Sequence, residues 1–159
     1  MRLQRLNAFQ SWLVESGQTR VAIDPWLVGE LVFSAGRWMY RRSAGLEGAP
    51  SLDSLAACQG VLMSSHFGDH LHMDTLRALS PGTALYGSPA TLAQVASLEG
   101  LDSRCLQGGG QVALADLNVE AITSAFPYRA TGVGFQITER RTGKRLFIEP
   151  HVASGGGLE

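Results

Sequence analysis

Short alternating runs of hydrophobic and polar residues open the chain. Residues 2–6 and 10–15 read as brief β-like runs, and Gly17-Gln18 reads as a hairpin turn into a strand at Thr19–Asp24. Val21 and Ile23 fall on one face by the two-residue period of a strand. Pro25 ends the run and leaves Asp24 at its tip. From 29 to 52 the periodicity fades. Gly29, Gly36, Gly45, Gly48 and Pro50 punctuate this stretch, which also carries Trp38, Met39 and Tyr40. A loop of that length in a compact domain is usually functional or mobile. Its aromatic residues either roof a pocket or pack on the core.

Beyond residue 52 the pattern changes to strand and helix in alternation. Gly60–Ser64 predicts a buried strand. Asp74 is placed to cap a short helix over 75–79 that stops at Ser80-Pro81-Gly82. Ala84–Gly87 predicts another strand. Ser88-Pro89 predicts an N-cap with proline in the first turn of a helix carrying Leu92, Val95 and Ala96 on one side and closed by Gly100. Gly108-Gly109-Gly110 predicts a turn. It is not a phosphate loop, because no Gly-Lys-Ser/Thr follows it. Strands at 111–115, 117–123, 133–139 and 144–149 come last, the final pair joined by a turn at Arg141–Lys144. Strands, then alternation, then strands again imply an α/β (α+β) fold with two sheets and helices outside.

Composition narrows the class. A length of 159 residues suits one ordinary domain, and 45% hydrophobic against 17% charged residues excludes a disordered chain. A net charge of −1 without a basic stripe argues against a nucleic-acid partner. Cys58 and Cys105 lack CxxC spacing, which argues against a thiolate zinc site and fits buried thiols in a reducing compartment. No apolar run reaches the roughly 20 residues of a membrane span, and the N-terminal residues lack the apolar core of a signal peptide, so the expectation is a cytoplasmic protein without a membrane partner.

The chemistry concentrates at 66–74. His66, Asp69, His70, His72 and Asp74 lie within this stretch, immediately after the apolar run that ends the strand at 60–64. A cation needs several N and O donors converging on one point, and loops leaving buried strands commonly carry functional groups. The competing reading is a polar, solvated turn in which Asp69 caps backbone amides. Asp24, at its own strand end, either fixes a ligand histidine from behind or bonds amides in the turn before Trp26. The turn role is favoured, since Asp-Pro pairs initiate turns. His72 is expected to reach solvent. Tyr128 and Trp38 are expected to pack in the core rather than line a pocket.

Three blocks carry a family resemblance. They are Ala22–Gly29 with its Asp24-Pro25-Trp26-Leu27, Val61–His70 followed by Thr75, Leu76 and Leu79, and Gly134–Ile137 with Lys144–His151. Together they resemble the metallo-β-lactamase-fold hydrolases, in a divergent branch. The resemblance implies a four-layer αββα sandwich. It further implies one or two zinc ions (iron or manganese as substitutes) that activate water against an ester, amide or phosphoester bond of a small-molecule substrate. It places Asp69 and His70 at the metal, with Asp69 also orienting the water. The family loop runs His-x-His-x-Asp-His, and here Ser65 and Phe67 stand where its first two histidines belong, with His66 between them. The family's next histidine follows a strand like Val119–Thr123, whereas this chain reads Ser124–Tyr128 without one. Its late acid comes from a Gly-Asp pair, whereas this chain has Glu149-Pro150-His151. His66, Glu149 and His151 are therefore replacement candidates. If the site has degenerated, no metal binds and the chain is a non-catalytic binding or scaffold protein, or an inactive fragment.

One domain is expected over 1–152, with a flexible Gly-rich tail at 153–159. Members of the family continue past the late acid. The expectation is therefore a fold missing its C-terminal elements, through truncation or an engineered end with a vector-derived Leu158-Glu159. A homodimer would cover the apolar surface left exposed.

Overall fold

The computed structural model describes residues 1–7, 9–32, 41–43, 51–123 and 132–148. The aromatic group Trp38–Tyr40, Tyr128, the candidate ligands Glu149 and His151, and the tail at 153–159 lie outside the described residues.

β1 (Arg2–Arg5), β2 (Trp12–Ser16) and β3 (Thr19–Ile23) form an antiparallel meander. The tight turn between β2 and β3 falls at Gly17, whose φ of 59° suits a residue without Cβ. β6 (Gly60–Met63) pairs parallel with β3, β7 (Ala84–Gly87) with β6, and β8 (Asp102–Cys105) with β7. The result is a six-stranded sheet in the order β1-β2-β3-β6-β7-β8. A second, antiparallel sheet runs β12 (Arg145–Ile148), β11 (Val133–Glu139), β10 (Leu117–Thr123), β9 (Gln111–Leu114). A small hairpin pairs β4 (Glu30–Val32) with β5 (Arg41–Ser43). Three short helices complete the described chain: α1 (Asp53–Ala56), α2 (Met73–Arg77) and α3 (Pro89–Val95).

Strand alternation sorts the core into two layers. Val14, Val21, Ile23, Leu62 and Tyr86 face the second sheet, where Leu117, Val119, Ala121, Phe135 and Ile137 meet them. Leu13, Ala22, Val61, Met63 and Leu85 point the other way, against Leu55, Leu76 and Val95 of the helices. Burying each large aliphatic side chain contributes roughly 1.5–3 kcal/mol. The two layers together fix the sequence helix, sheet, sheet. On the outer face of the second sheet, Asn118 opposes Thr138 and Glu120 opposes Gln136, a polar surface. Among the described residues no helix covers it.

Several predicted elements shift. α2 starts at Met73 and ends at Arg77, earlier than expected, because His72 rather than Asp74 is its N-cap. α3 ends at Val95 instead of reaching Gly100. Its start is as read, with Pro89 in the first turn and Ser88 Oγ accepting the Thr91 N–H at 3.2 Å. β8, β4 and β5 had no sequence signal. β8 is Asp-Ser-Arg-Cys, exposed throughout, an edge strand held by its backbone pairing to β7.

Candidate functional site

β3 and β6 run parallel and side by side, so Asp24 and Ser64 leave the sheet together at one end. The Asp24 N–H extends the ladder by donating to Leu62 O at 3.0 Å. Asp24 then adopts a φ of 45°, a left-handed conformation that costs a non-glycine residue roughly 1–2 kcal/mol. Its carboxylate offsets that cost. Oδ1 accepts the Ser64 N–H at 2.7 Å, and Oδ2 accepts both the Ser64 hydroxyl and His70 Nδ1 at 2.9 Å. Ser64 Oγ lies 3.2 Å from the same ring nitrogen. The Asp24 backbone is pinned as well: Ser11 Oγ donates to its carbonyl at 2.6 Å while accepting Trp26 N–H at 3.0 Å and Asn7 Nδ2 at 2.7 Å.

Asp24 therefore holds His70, the reading the sequence disfavoured. The amides it satisfies belong to Ser64, across the sheet, and not to the turn before Trp26. A carboxylate only accepts, so the shared proton sits on Nδ1, and Nε2 is the nitrogen on the Asp69 side of the buried ring. Burial alone would push the His70 pKa down. The hydrogen bond and charge of Asp24, with Asp69 adding to them, outweigh it and raise the pKa above the ordinary histidine value.

Asp69, about a quarter exposed, lies on the other side of that ring, with Oδ2 3.6 Å from His70 Nε2. Two ligands of one tetrahedral zinc, at bond lengths near 2.0–2.2 Å, stand roughly 3.3–3.6 Å apart. The pair fits one edge of such a cation. Among the described residues no group of three His, Cys, Asp or Glu side chains converges to complete it. His66 is half-buried, its ring 4.5 Å from that of Phe67. Ser65 is fully buried and its backbone bridges Gly132, while Phe67 is 38% exposed. The structure thus brings Asp69 and His70 together, leaves His66 stacked on Phe67, and does not describe Glu149 or His151.

His72 does not reach solvent. It is buried, with its ring 5.5 Å from that of Trp26, and its Nδ1 accepts the Thr75 N–H at 3.3 Å as the N-cap of α2. Thr75 Oγ1 accepts the Leu27 N–H at 2.9 Å and donates to the same Nδ1 at 3.1 Å. With Nδ1 accepting twice, the proton is on Nε2, which faces Glu30 O at 3.4 Å. Burial lowers the His72 pKa, as a neutral capping ring requires. Ser64 and Thr75 are the residues sequence reasoning missed. Each works through a partner distant in sequence, Asp24 for one and Leu27 for the other.

Comparison with known proteins agrees with this architecture. A possible metal-dependent hydrolase from Veillonella parvula is similar at 13% identity and a TM-score of 0.71, over 97% of this chain and 64% of that one. A metallo-beta-lactamase from Cronobacter sakazakii, as a HARLDQ motif mutant, is similar at 18% identity and a TM-score of 0.64, over 97% of this chain and 63% of that one. An isothiocyanate hydrolase from Delia radicum gut bacteria is similar at 17% identity and a TM-score of 0.62, over 86% of this chain and 57% of that one. The chain thus spans less than two thirds of the length of these structures. No curated protein sequence matches it. The model of the beta-lactamase superfamily domain matches residues 7–155, nearly the whole chain. With its two packed sheets and the Asp24–His70 dyad at their end, the chain belongs to the beta-lactamase superfamily and has the metallo-β-lactamase fold.

Proposed function

We propose that this domain is a metal-dependent hydrolase acting on a small-molecule substrate, with Asp69 and His70 as the ligands that remain recognisable. One observation carries the reading: His70 Nδ1 is bound from behind by Asp24 at 2.9 Å, so that Nε2 is presented 3.6 Å from Asp69 Oδ2. A buried histidine with one nitrogen anchored by a carboxylate and the other beside a carboxylate about a quarter exposed is the arrangement a metal ligand needs. Zinc, or iron or manganese in its place, supplies a water of lowered pKa when bound. His70 would hold the ion through Nε2. Asp69 would bind beside it and accept a hydrogen bond from the attacking water. His66, Glu149 and His151 are candidates for the remaining positions. Unpaired thiols fit a reducing, cytoplasmic setting, but only Cys58 is even partly buried, and burial pushes its thiol up to about 11; Cys105, expected to be buried, is exposed on the edge strand β8.

A second reading rests on Ser65 and Phe67. Neither donates a strong ligand, and together they favour a non-catalytic member of the fold that keeps the Asp24–His70 dyad for structure. The two readings part on turnover. The purified chain is loaded with zinc, manganese or ferrous iron and assayed on p-nitrophenyl acetate, a p-nitroanilide and bis-p-nitrophenyl phosphate. Metal-dependent hydrolysis abolished in Asp69→Ala supports the enzyme. Absence of turnover with every metal, or turnover indifferent to Asp69→Ala, supports the non-catalytic member.

A further inference from the structure

Behind the Asp24–His70 dyad lies a buried, uncharged polar network built by Asn7 and Ser11 in the connection between β1 and β2. The connection is closed by Leu6 N–H donating to Ser11 O at 2.9 Å. Asn7 Oδ1 accepts the N–H of Phe9 at 2.7 Å and of Ser11 at 3.3 Å. Asn7 Nδ2 donates to Ser11 Oγ at 2.7 Å and to Trp26 O at 3.0 Å. A carboxamide has two acceptor sites and two donors, so Asn7 is saturated, and exchanging its O and N would set donor against donor. Ser11 Oγ is saturated as well. Its one proton goes to Asp24 O at 2.6 Å, and its two lone pairs accept Trp26 N–H at 3.0 Å and Asn7 Nδ2.

The two main-chain groups that Ser11 takes up stand on either side of Pro25, which has no N–H of its own. Asp24 is thereby held at both ends, by Leu62 O at its N–H and by Ser11 Oγ at its carbonyl. A non-glycine residue keeps a φ of 45° only where its surroundings over-determine it. Relaxation of Asp24 toward an ordinary extended conformation would swing its carboxylate away from the Ser64 N–H and His70 Nδ1. The geometry points to Ser11 and Asn7 as positioning residues for His70: through the Asp24-Pro25-Trp26 main chain they aim the carboxylate that keeps the ring proton on Nδ1, so that Nε2, on the Asp69 side, is free to bind an ion. This role rests on the hydrolase reading for its purpose, but the state of the His70 ring is readable without metal or turnover. Loss of the Ser11 hydroxyl strands the Asp24 carbonyl, the Trp26 N–H and one Asn7 N–H in a buried setting, and the segment must move to satisfy them.

The His70 tautomer is read from two-bond ¹H–¹⁵N correlations of the ¹⁵N-labelled, metal-free chain in alkaline buffer, where the ring is neutral, and zinc affinity from calorimetric titration. The parent is expected to carry the proton on Nδ1. Ser11→Ala is expected to populate the Nε2–H form and to weaken zinc by about tenfold, the lower end of the loss when a ligand's supporting partner is removed. Asn7→Asp keeps the shape and removes both Nδ2 donors. It is expected to act in the same direction, because the Ser11 hydroxyl turns to the new carboxylate and releases Asp24 O. Ser11→Thr, which keeps the hydroxyl, is expected to retain the parent's tautomer. Val119→Ala, a core truncation in β10 that removes no member of the network, controls for lost stability. An Nε2–H ring in the parent, the parent's tautomer in both Ser11→Ala and Asn7→Asp, or an equal shift in Val119→Ala overturns the positioning role. A tautomer shift in Ser11→Ala from a parent that takes up no zinc supports the positioning role and removes the hydrolase reading. Zinc uptake by the parent with the tautomer unmoved in both variants does the reverse.

Discussion

Asp24 shows how much one residue carries here. It sits at a positive φ, ends β3, and accepts three hydrogen bonds while buried. Removing one side of a buried hydrogen-bonded pair leaves the other side desolvated without a partner, so Asp24→Ala should cost about 3 kcal/mol in urea denaturation. Burial also separates Ser65 and Phe67, the two positions where the family resemblance expects histidine. Phe67 is partly exposed and can give way to another ring, whereas Ser65 is fully buried against the second sheet. Phe67→His should therefore fold with a stability change under about 1 kcal/mol, and Ser65→His should lose about 1–3 kcal/mol to overpacking, read as a lower denaturation midpoint. Equal costs for the two would contradict the burial difference.

Among the elements, α2 is the most informative. It has only five residues, so its stability comes from its cap and its packing rather than from propensity. His72→Ala should cost about 1–2 kcal/mol through the lost cap and the lost contact with Trp26. The cap also has a pH signature. His72 titrates below its ordinary value in the folded chain, so its contribution is complete above the unfolded histidine pKa near 6.5 and is lost as pH falls through the lower folded value. His70 titrates above its ordinary value, and its contribution runs the other way, complete below 6.5 and lost as pH rises through the folded value. Stability measured from pH 7 down to 5 should fall less steeply in His72→Asn than in the parent chain. The element scale also explains what the sequence concealed. Strands with apolar alternation, such as Thr19–Ile23 and Leu117–Thr123, were legible. β8 was not, because an exposed edge strand needs no hydrophobic face. The cap of α2 was misassigned because Asp74 has the better intrinsic preference, while Thr75 and Trp26 hold His72 in the capping position.

For the whole molecule, the two sheets are locked together by more than apolar packing. Glu139 on β11 accepts from Ser16 on β2 at 2.6 Å, from the amino group of Met1 at 2.7 Å, and from the Thr142 hydroxyl. The amino terminus first, then Ser16 and Thr142, hold its carboxyl down to about 2. Stability from Glu139 is therefore complete above the ordinary carboxylate value of 4.5 and is lost as pH falls from there toward 2. Glu139→Gln should unfold at lower denaturant than the parent at pH 6 and converge with it near pH 2. A constant gap across that range would contradict the linkage. The fold was legible in the sequence through its order of strands and helices and through the Asp24, Asp69-His70 and late-hairpin blocks. The candidate site was legible only in part. Asp69 and His70 are neighbours in sequence, but the link from Asp24 to Ser64 and His70 exists only because β3 and β6 pair in parallel across nearly forty residues of intervening chain.

The proposed hydrolase requires Asp69 and His70 to hold a metal ion. Isothermal titration of the purified, chelator-treated chain with zinc, backed by elemental analysis of the product, tests it most directly. About one equivalent should bind per chain, and it should be lost in the Asp69→Ala, His70→Ala double variant while the fold persists by circular dichroism. A chain that takes up no zinc, manganese or iron, or a double variant that binds as well as the parent, would contradict it.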